Sequence, residues 1–364
     1  MTVLDTLDDF ARRDWAAYDG DGIVRIALIG AGWFTREWAL PGFERAAHTD
    51  PTVVVDTRPE RADRLADEYG LTSLTPEQFH DGTARAEYDA VYVCTPNATH
   101  LAYVERAAGF GKDILCEKPM EANRDRAAAL VETAAAAGVT LMIGYRMHTD
   151  PVVRRARELI DGGAIGEVVQ IHGNMSQRML AELEGDPADQ WRLDPDLAGG
   201  GAMMDIGIYP LNTTRFLLSA DPVRVSASTA SVHDAFDAVE EQVAVRATFE
   251  GEVPVVFTAS HAAYHDSFLR VTGTEGVIVL DPAFFEREDR DMAVRIDGEG
   301  VDVTNVHQLE EEFAYFADCL LSGREPYPDG EHGLVDMRAI EAIYESAETG
   351  AVVDVDIESR LPGR

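Results

Sequence analysis

Two stretches hold residues whose types and spacing suit proton transfer. Residues 116–120 read Cys-Glu-Lys-Pro-Met, and the lysine in them, Lys118, is one of only two lysines among 31 basic residues; the other is Lys112. A chain that has exchanged nearly every lysine for arginine has kept an ammonium here. Arginine presents a rigid planar fork, whereas lysine presents a compact point charge. Its retention therefore points to chemistry rather than to a solvated loop. Residues 205–209 read Asp-Ile-Gly-Ile-Tyr. The four-residue spacing of Asp205 and Tyr209 puts both on one face of a helix. Tyrosine takes up a proton poorly near neutrality, with an ordinary pKa of about 10, and a nearby ammonium favours its phenolate. Read alone, the same residues fit a core tyrosine and a helix cap equally well. Gly199-Gly200-Gly201 precede them and free the backbone for close approach to a ligand.

A third stretch concerns a cofactor. Gly30-Ala31-Gly32-Trp33-Phe34-Thr35 follows an apolar run, Ile23–Ile29, and precedes a segment of helical character. The first glycine of such a loop permits a tight turn and the second lets backbone N–H groups reach a pyrophosphate at the helix N-terminus. Thr35 stands where a third glycine is usual. The next strand ends in Asp56-Thr57-Arg58. Asp56 suits a ribose 2′-hydroxyl, which favours NAD. Thr57, Arg58 and Arg61 suit a 2′-phosphate, which favours NADP. From these residues alone the NAD and NADP readings conflict.

The elements that must position these residues follow from periodicity. Strands over 23–29, 52–56, 89–94, 113–116 and 139–143 alternate with helices over 59–70, 98–110 and 123–137. That rhythm predicts a doubly wound parallel sheet. Beyond it come a helix over 151–161, a long strand near 165–178 and a helix over 203–219. Strands follow near 222–233, 239–249, 253–261, 266–273 and 276–281, then helices over 313–321 and 335–348. This part predicts an α+β domain with an open, mostly antiparallel sheet. The expected organisation is a helical arm over 1–22, a dinucleotide-binding Rossmann domain over 23–148, and an α+β domain over 149–364 for substrate binding and oligomerisation.

Composition narrows the class. Net charge is −35, from 66 acidic against 31 basic residues. The acids are dispersed rather than gathered in a tail, so the surface itself is acidic. Such a surface repels nucleic acid and anionic membranes. It also suits concentrated salt, where the Debye length falls to about 3 Å, and a halophilic cytoplasmic protein is expected. No run is long enough to span a bilayer. The chain opens with no basic region followed by an apolar one, so no signal peptide is read there. Three cysteines, Cys94, Cys116 and Cys319, lack metal spacing and are expected as reduced, packed thiols.

Further motifs join these. Thr95-Pro96-Asn97-Ala98-Thr99-His100 follows one strand and LMIGYRMHTDPV follows another at 141–152. A long segment, QWRLDPDLAGGGAMMDIGIYPLNTTRFLL, runs over 190–218. Together with CEKPM they resemble the Gfo/Idh/MocA oxidoreductase family, from about residue 23 to the end. The resemblance implies a Rossmann domain followed by an α+β domain whose open sheet often forms a subunit interface. It implies that Lys118 is the family's E-K-P lysine, that the Lys118–Pro119 bond is cis, and that residues 205–209 are its D-x-G-x-(H/Y) motif. It further implies NADP-dependent oxidation of an aldose, D-xylose above all, at C1 to its lactone. Tyr209 is then the acid/base and Asp205 the acceptor that orients sugar hydroxyls. Lys118, Arg146, Trp191 and Arg192 join them around the sugar. The cofactor is expected against Gly30, Gly32, Trp33, Phe34, Asp56, Thr57, Arg58, Arg61, Thr95, Asn97, His100, Glu117, Lys118 and Arg146. No metal is expected, and a homodimer or homotetramer is. Two alternatives share the fold: a sugar dismutase that never releases its NADP, and a non-catalytic nucleotide sensor.

Overall fold

The computed structural model describes residues 10–182, 190–285, 291–295 and 306–357. The chain divides into two compact units. One comprises 15–146 and 307–334; the other comprises 147–306, 335–364 and the first 14 residues.

The first unit is built on six parallel strands: β1 (Val24–Ile29), β2 (Thr49–Val55), β3 (Thr72–Leu74), β4 (Ala90–Val93), β5 (Asp113–Glu117) and β6 (Leu141–Gly144). Their order is β3-β2-β1-β4-β5-β6, and every neighbouring pair is parallel. Strands covered on both faces read as apolar runs, and β1 and β4 are buried almost throughout. The order reverses between β1 and β4, where ligands bind outside the carboxyl ends of the strands. Helix boundaries follow local chemistry. Pro59–Tyr69 starts on proline and stops at Gly70, whose φ of 72° is left-handed. Arg124–Ala137 is capped by the Asn123 side chain, which accepts from the Arg126 N–H.

Residues 307–334 were expected in the second domain, yet they pack here. The helix Gln308–Ser322 buries an apolar face in the same core as β1 and β2. Phe313 stacks flat on Phe43, with centroids 3.7 Å apart. The expected leader also differs. Of residues 1–22, those described form a turn and no helix; the first nine lie outside the described residues. Trp15 is buried edge-on against Tyr315, and the Asp318 carboxylate accepts the N–H groups of Ala17 and Tyr18. Residues 15–18 are thus held by their own chain.

The second unit carries eight strands: β7 (Val168–Ser176), β8 (Pro222–Ala230), β9 (Gln242–Phe249), β10 (Val253–Ser260), β11 (Asp266–Gly273), β12 (Val277–Asp281), β13 (Asp291–Arg295) and β14 (Val353–Asp354). Their order is β13-β12-β11-β7-β10-β9-β8-β14. Only β7 and β10 pair in parallel; the rest are antiparallel, as a one-sided sheet should be. Alternation is strict in β9, where Val243, Val245, Ala247 and Phe249 point inward. The outer face runs as cross-strand rows. One row is Ser226, Arg246, Val256, His172, Arg270 and Val279; the next is Ser228, Ala244, Thr258, Asn174 and Phe268. No acidic residue stands in either row.

Candidate active site

The loop after β1 is fixed from within. Gly30 has a φ of 103°, and a Cβ there would run into the Cys94 carbonyl oxygen. Only glycine tolerates both. Asp56, at the end of β2, accepts the Ala31 N–H at 2.7 Å and the Arg58 N–H at 2.8 Å, one on each carboxylate oxygen. Asp56 is 9% exposed, whereas Thr57 and Arg58 beside it are exposed. Thr35 explains the missing third glycine. Fully buried, it donates its hydroxyl to the Gly30 carbonyl at 2.7 Å. The chain then winds through a wide π-helical turn, Thr35–Ala39, into the helix Leu40–Arg45. Nothing lies within 4 Å of a Cβ placed on Gly32, and Trp33 is half exposed. The loop so leaves the room that a pyrophosphate needs, and the outward Arg58 suits a 2′-phosphate.

The CEKPM segment leaves β5 in the same unit. Glu117 accepts the Tyr92 hydroxyl at 2.7 Å and the Lys118 N–H at 3.2 Å. The Lys118–Pro119 bond is cis, as expected. His100 is buried, with Nε2 2.9 Å from the Thr95 carbonyl and Nδ1 3.2 Å from the Met120 carbonyl. Loss of water lowers its pKa, so the ring is neutral. Both ring nitrogens face carbonyl oxygens, and the Cys116 sulfur lies 3.4 Å from Nδ1. His100 is therefore a pillar between two loops rather than an open contact for a ligand. Asn97 begins a short 3₁₀ turn, Asn97–Thr99, and the Thr95 hydroxyl accepts from Thr99 at 2.8 Å. Arg146 opens the turn after β6. Burial pushes the Cys116 thiol up, in line with packing rather than reactivity.

In the second unit Asp205 lies in another π-helical turn, Met203–Gly207, and Tyr209 in the α-helix Ile208–Leu218 that continues it. The expected single α-helix over 203–219 is thus widened at its start, a distortion frequent at functional sites. Asp205 faces Arg192 Nε at 3.3 Å and His261 Nε2 at 3.5 Å. Arg192 also lies over the Trp191 ring, 4.5 Å from its centroid. Tyr209 is 8% exposed and tilts against Phe284 at 5.9 Å. Its helix is anchored by a buried polar cluster. Arg215 pairs with Asp221 at 2.7 Å and Asp336 at 2.9 Å. Asn212 donates to Asp336 at 2.7 Å and takes a bond from His148, also at 2.7 Å. Burial pushes the His148 pKa down to about 3.

The three glycines at 199–201 serve a different purpose from the one expected. A Cβ on Gly200 would strike the Tyr344 hydroxyl, and one on Gly201 the Glu240 carbonyl. Their backbone approaches the protein's own chain. Glu240 Oε2 accepts the Gly201 N–H at 2.9 Å, and Oε1 accepts the Met203 N–H at 2.8 Å and the Tyr344 hydroxyl at 2.9 Å. Burial raises the Glu240 pKa, and these donors pull it back. His261, Glu240 and Tyr344 escaped the sequence reading. No spacing rule links them to Asp205, because they come from a strand end, a strand entry and a distant helix.

A Rossmann sheet with a phosphate-ready loop, in one chain with a mixed-sheet unit whose helix carries an Asp–Tyr motif, defines a dinucleotide-dependent oxidoreductase. Comparison with known proteins agrees. Residues 24–145 match the model "Oxidoreductase family, NAD-binding Rossmann fold", and residues 153–279 match the GFO/IDH/MocA C-terminal domain. The chain is 51% identical to D-xylose 1-dehydrogenase [NADP(+)] of Haloarcula marismortui, over 98% of this chain and all of that one. It is 32% identical to D-xylose 1-dehydrogenase (NADP(+)) 2 of Haloferax volcanii, over 92% of this chain and all of the relative. Among solved structures, the aldose-aldose oxidoreductase of Caulobacter crescentus complexed with glycerol matches with a TM-score of 0.84 at 31% identity, covering 91% of this chain and 99% of that one. The chain belongs to the GFO/IDH/MocA oxidoreductase family.

Proposed function

We propose that this protein oxidises an aldose, D-xylose foremost, at C1 to the aldonolactone with NADP. The observation that carries the cofactor choice is the inward turn of Asp56. Each of its oxygens already holds a backbone N–H group, which offsets part of its charge, while Thr57 and Arg58 beside it are exposed and suit a 2′-phosphate. The near full-length likeness to a D-xylose 1-dehydrogenase [NADP(+)] supports the substrate. The bound NADP would supply the hydride-accepting nicotinamide. Gly30, Gly32, Trp33 and Phe34 would hold its pyrophosphate by backbone N–H groups. Tyr209 takes the proton of the C1 hydroxyl as general base. Lys118 supplies an ammonium that stabilises the negative charge arising on oxygen. Asp205, held by Arg192 and His261, accepts from sugar hydroxyls and fixes the face presented; Trp191 and Arg146 complete the contacts. A panel of aldoses with NADP and NAD in molar KCl tests this. Turnover of D-xylose with NADP above all other pairs is expected, and preference for NAD or for a non-aldose alcohol overturns it.

The assembly is proposed to be a homodimer or homotetramer through the outer face of the second unit's sheet. In a chain with 66 acids, two neighbouring cross-strand rows of that face carry none, and Val256 is exposed on it. Association through two rows without acids keeps like charges out of the contact itself. Light scattering in molar KCl that gives a monomer mass removes this proposal. The protein is proposed to work in a salt-rich cytoplasm, with its three cysteines outside any disulfide. Activity should then fall on dilution of salt, and full activity in dilute buffer counts against it.

A further inference from the structure

We infer that Glu240 is a positioning residue for Asp205, acting through Gly201. One residue fixes three successive backbone N–H groups at the entry to the Met203–Gly207 turn. Gly201 donates to Glu240 Oε2 at 2.9 Å, Ala202 to the Glu240 carbonyl at 3.0 Å, and Met203 to Glu240 Oε1 at 2.8 Å. Gly201 then relays the constraint. Its carbonyl accepts the Asp205 N–H at 3.1 Å. The next residue fixes the other side of Asp205, because the Glu241 carbonyl accepts the His261 N–H at 2.9 Å, and His261 Nε2 faces Asp205 Oδ2. Tyr344 donates to Glu240 Oε1 and sets the carboxylate plane. Two acceptor oxygens on one side chain are required. A glutamine in the same place offers one oxygen and turns an N–H₂ toward the other backbone donor. The turn would then shift, and with it the Asp205 carboxylate, a displacement to which oriented reactions are sensitive.

The inference rests on the reading of Asp205 as the acceptor for sugar hydroxyls, and a double-mutant cycle separates the two. Glu240→Gln, Asp205→Asn and the double variant are assayed with D-xylose and NADP, with NADP affinity and thermal midpoint measured alongside. Glu240→Gln is expected to lower kcat/KM for the sugar by about tenfold or more, leaving NADP affinity unchanged. In the Asp205→Asn background the same change should cost less than about threefold, because a residue acting through Asp205 has nothing left to position. Equal losses in both backgrounds, or no loss in the wild type, overturn the inference while leaving the Asp205 role intact. Unaltered sugar kinetics in Asp205→Asn alone overturn that role, and this inference with it. If Glu240→Gln does not fold, Tyr344→Phe, which removes one donor from the same carboxylate, replaces it in the cycle with the same outcomes at about threefold.

Discussion

Each unit contains one glycine loop that leads into a π-helical turn, and each loop is held by a carboxylate accepting two backbone N–H groups. Asp56 holds Ala31 and Arg58 in the first; Glu240 holds Gly201 and Met203 in the second. The loops then differ in what they leave open. Around Gly32 the space is empty and Trp33 is half exposed. Around Gly200 and Gly201 the space is filled by Tyr344 and Glu240. The same device thus serves two ends. The first loop offers its backbone to a ligand, and the second commits its backbone to the fold so that a side chain, Asp205, is held still.

The comparison predicts a division of labour that substitutions can break. The largest effect is expected at the proton-transfer residues. Tyr209→Phe and Lys118→Ala should each lower kcat by about 10² or more, the scale of a lost acid/base, with NADP still bound. Lys118→Arg should fail similarly, and near-normal turnover in it would refute the need for a compact ammonium. Next in size is a contrast between two glycines. Gly201→Ala should destabilise the protein by about 1–3 kcal/mol, the usual cost of overpacking. Gly32→Ala should shift stability by less than about 0.5 kcal/mol yet weaken NADP. Equal thermal midpoints for the two variants would erase the distinction between open and closed loops. Smaller again, Arg58→Ala should weaken NADP about tenfold, the lower end for a charge-assisted bond, and leave NAD within a factor of about two. Parallel weakening of both would place Arg58 elsewhere on the cofactor.

The smallest effect concerns the anchor of the helix that carries Tyr209. His148 stays neutral in the folded chain down to about pH 3, whereas an unfolded histidine gains a proton below about 6.5. The unfolded state therefore binds more protons between these values, and stability is lost as pH falls through them. Between pH 7 and 5.5 the loss from His148 should approach about 1 kcal/mol. His148→Gln keeps a donor toward Asn212 but cannot titrate, so its stability should fall less over the same range. Identical pH slopes for the two proteins would count against this role.

What was legible in the sequence was whatever depends on near neighbours. The βα rhythm of the first unit and the helix that ends at Gly70 follow from periods and caps. Lys118 stood out because lysine is otherwise almost absent. Asp56 was legible as a carboxylate at a strand end, but the sequence left it between two jobs. Only the geometry shows that each of its oxygens already holds a backbone N–H group, of Ala31 and of Arg58. Glu240 was illegible, because it reaches Gly201 across 39 residues and its strand neighbours hide it among other acids. The helix Gln308–Ser322 looked like a late helix of the second domain. Its placement was decided by Phe313 finding Phe43, a pairing that no local pattern encodes.

That helix ties the completion of the nucleotide-binding unit to the order of synthesis. Chains generally fold domain by domain as they emerge from the ribosome. Here β1 to β6 are made by residue 144, but Phe313 and its neighbours in the same core arrive only some way past residue 300. Until then Phe43 and Tyr92 lack the ring that covers them. A fragment ending near residue 148 would lack that cover as well and should be prone to aggregate. A circular permutant that fuses residues 307–334 ahead of Trp15 would give the nascent sheet its missing helix first.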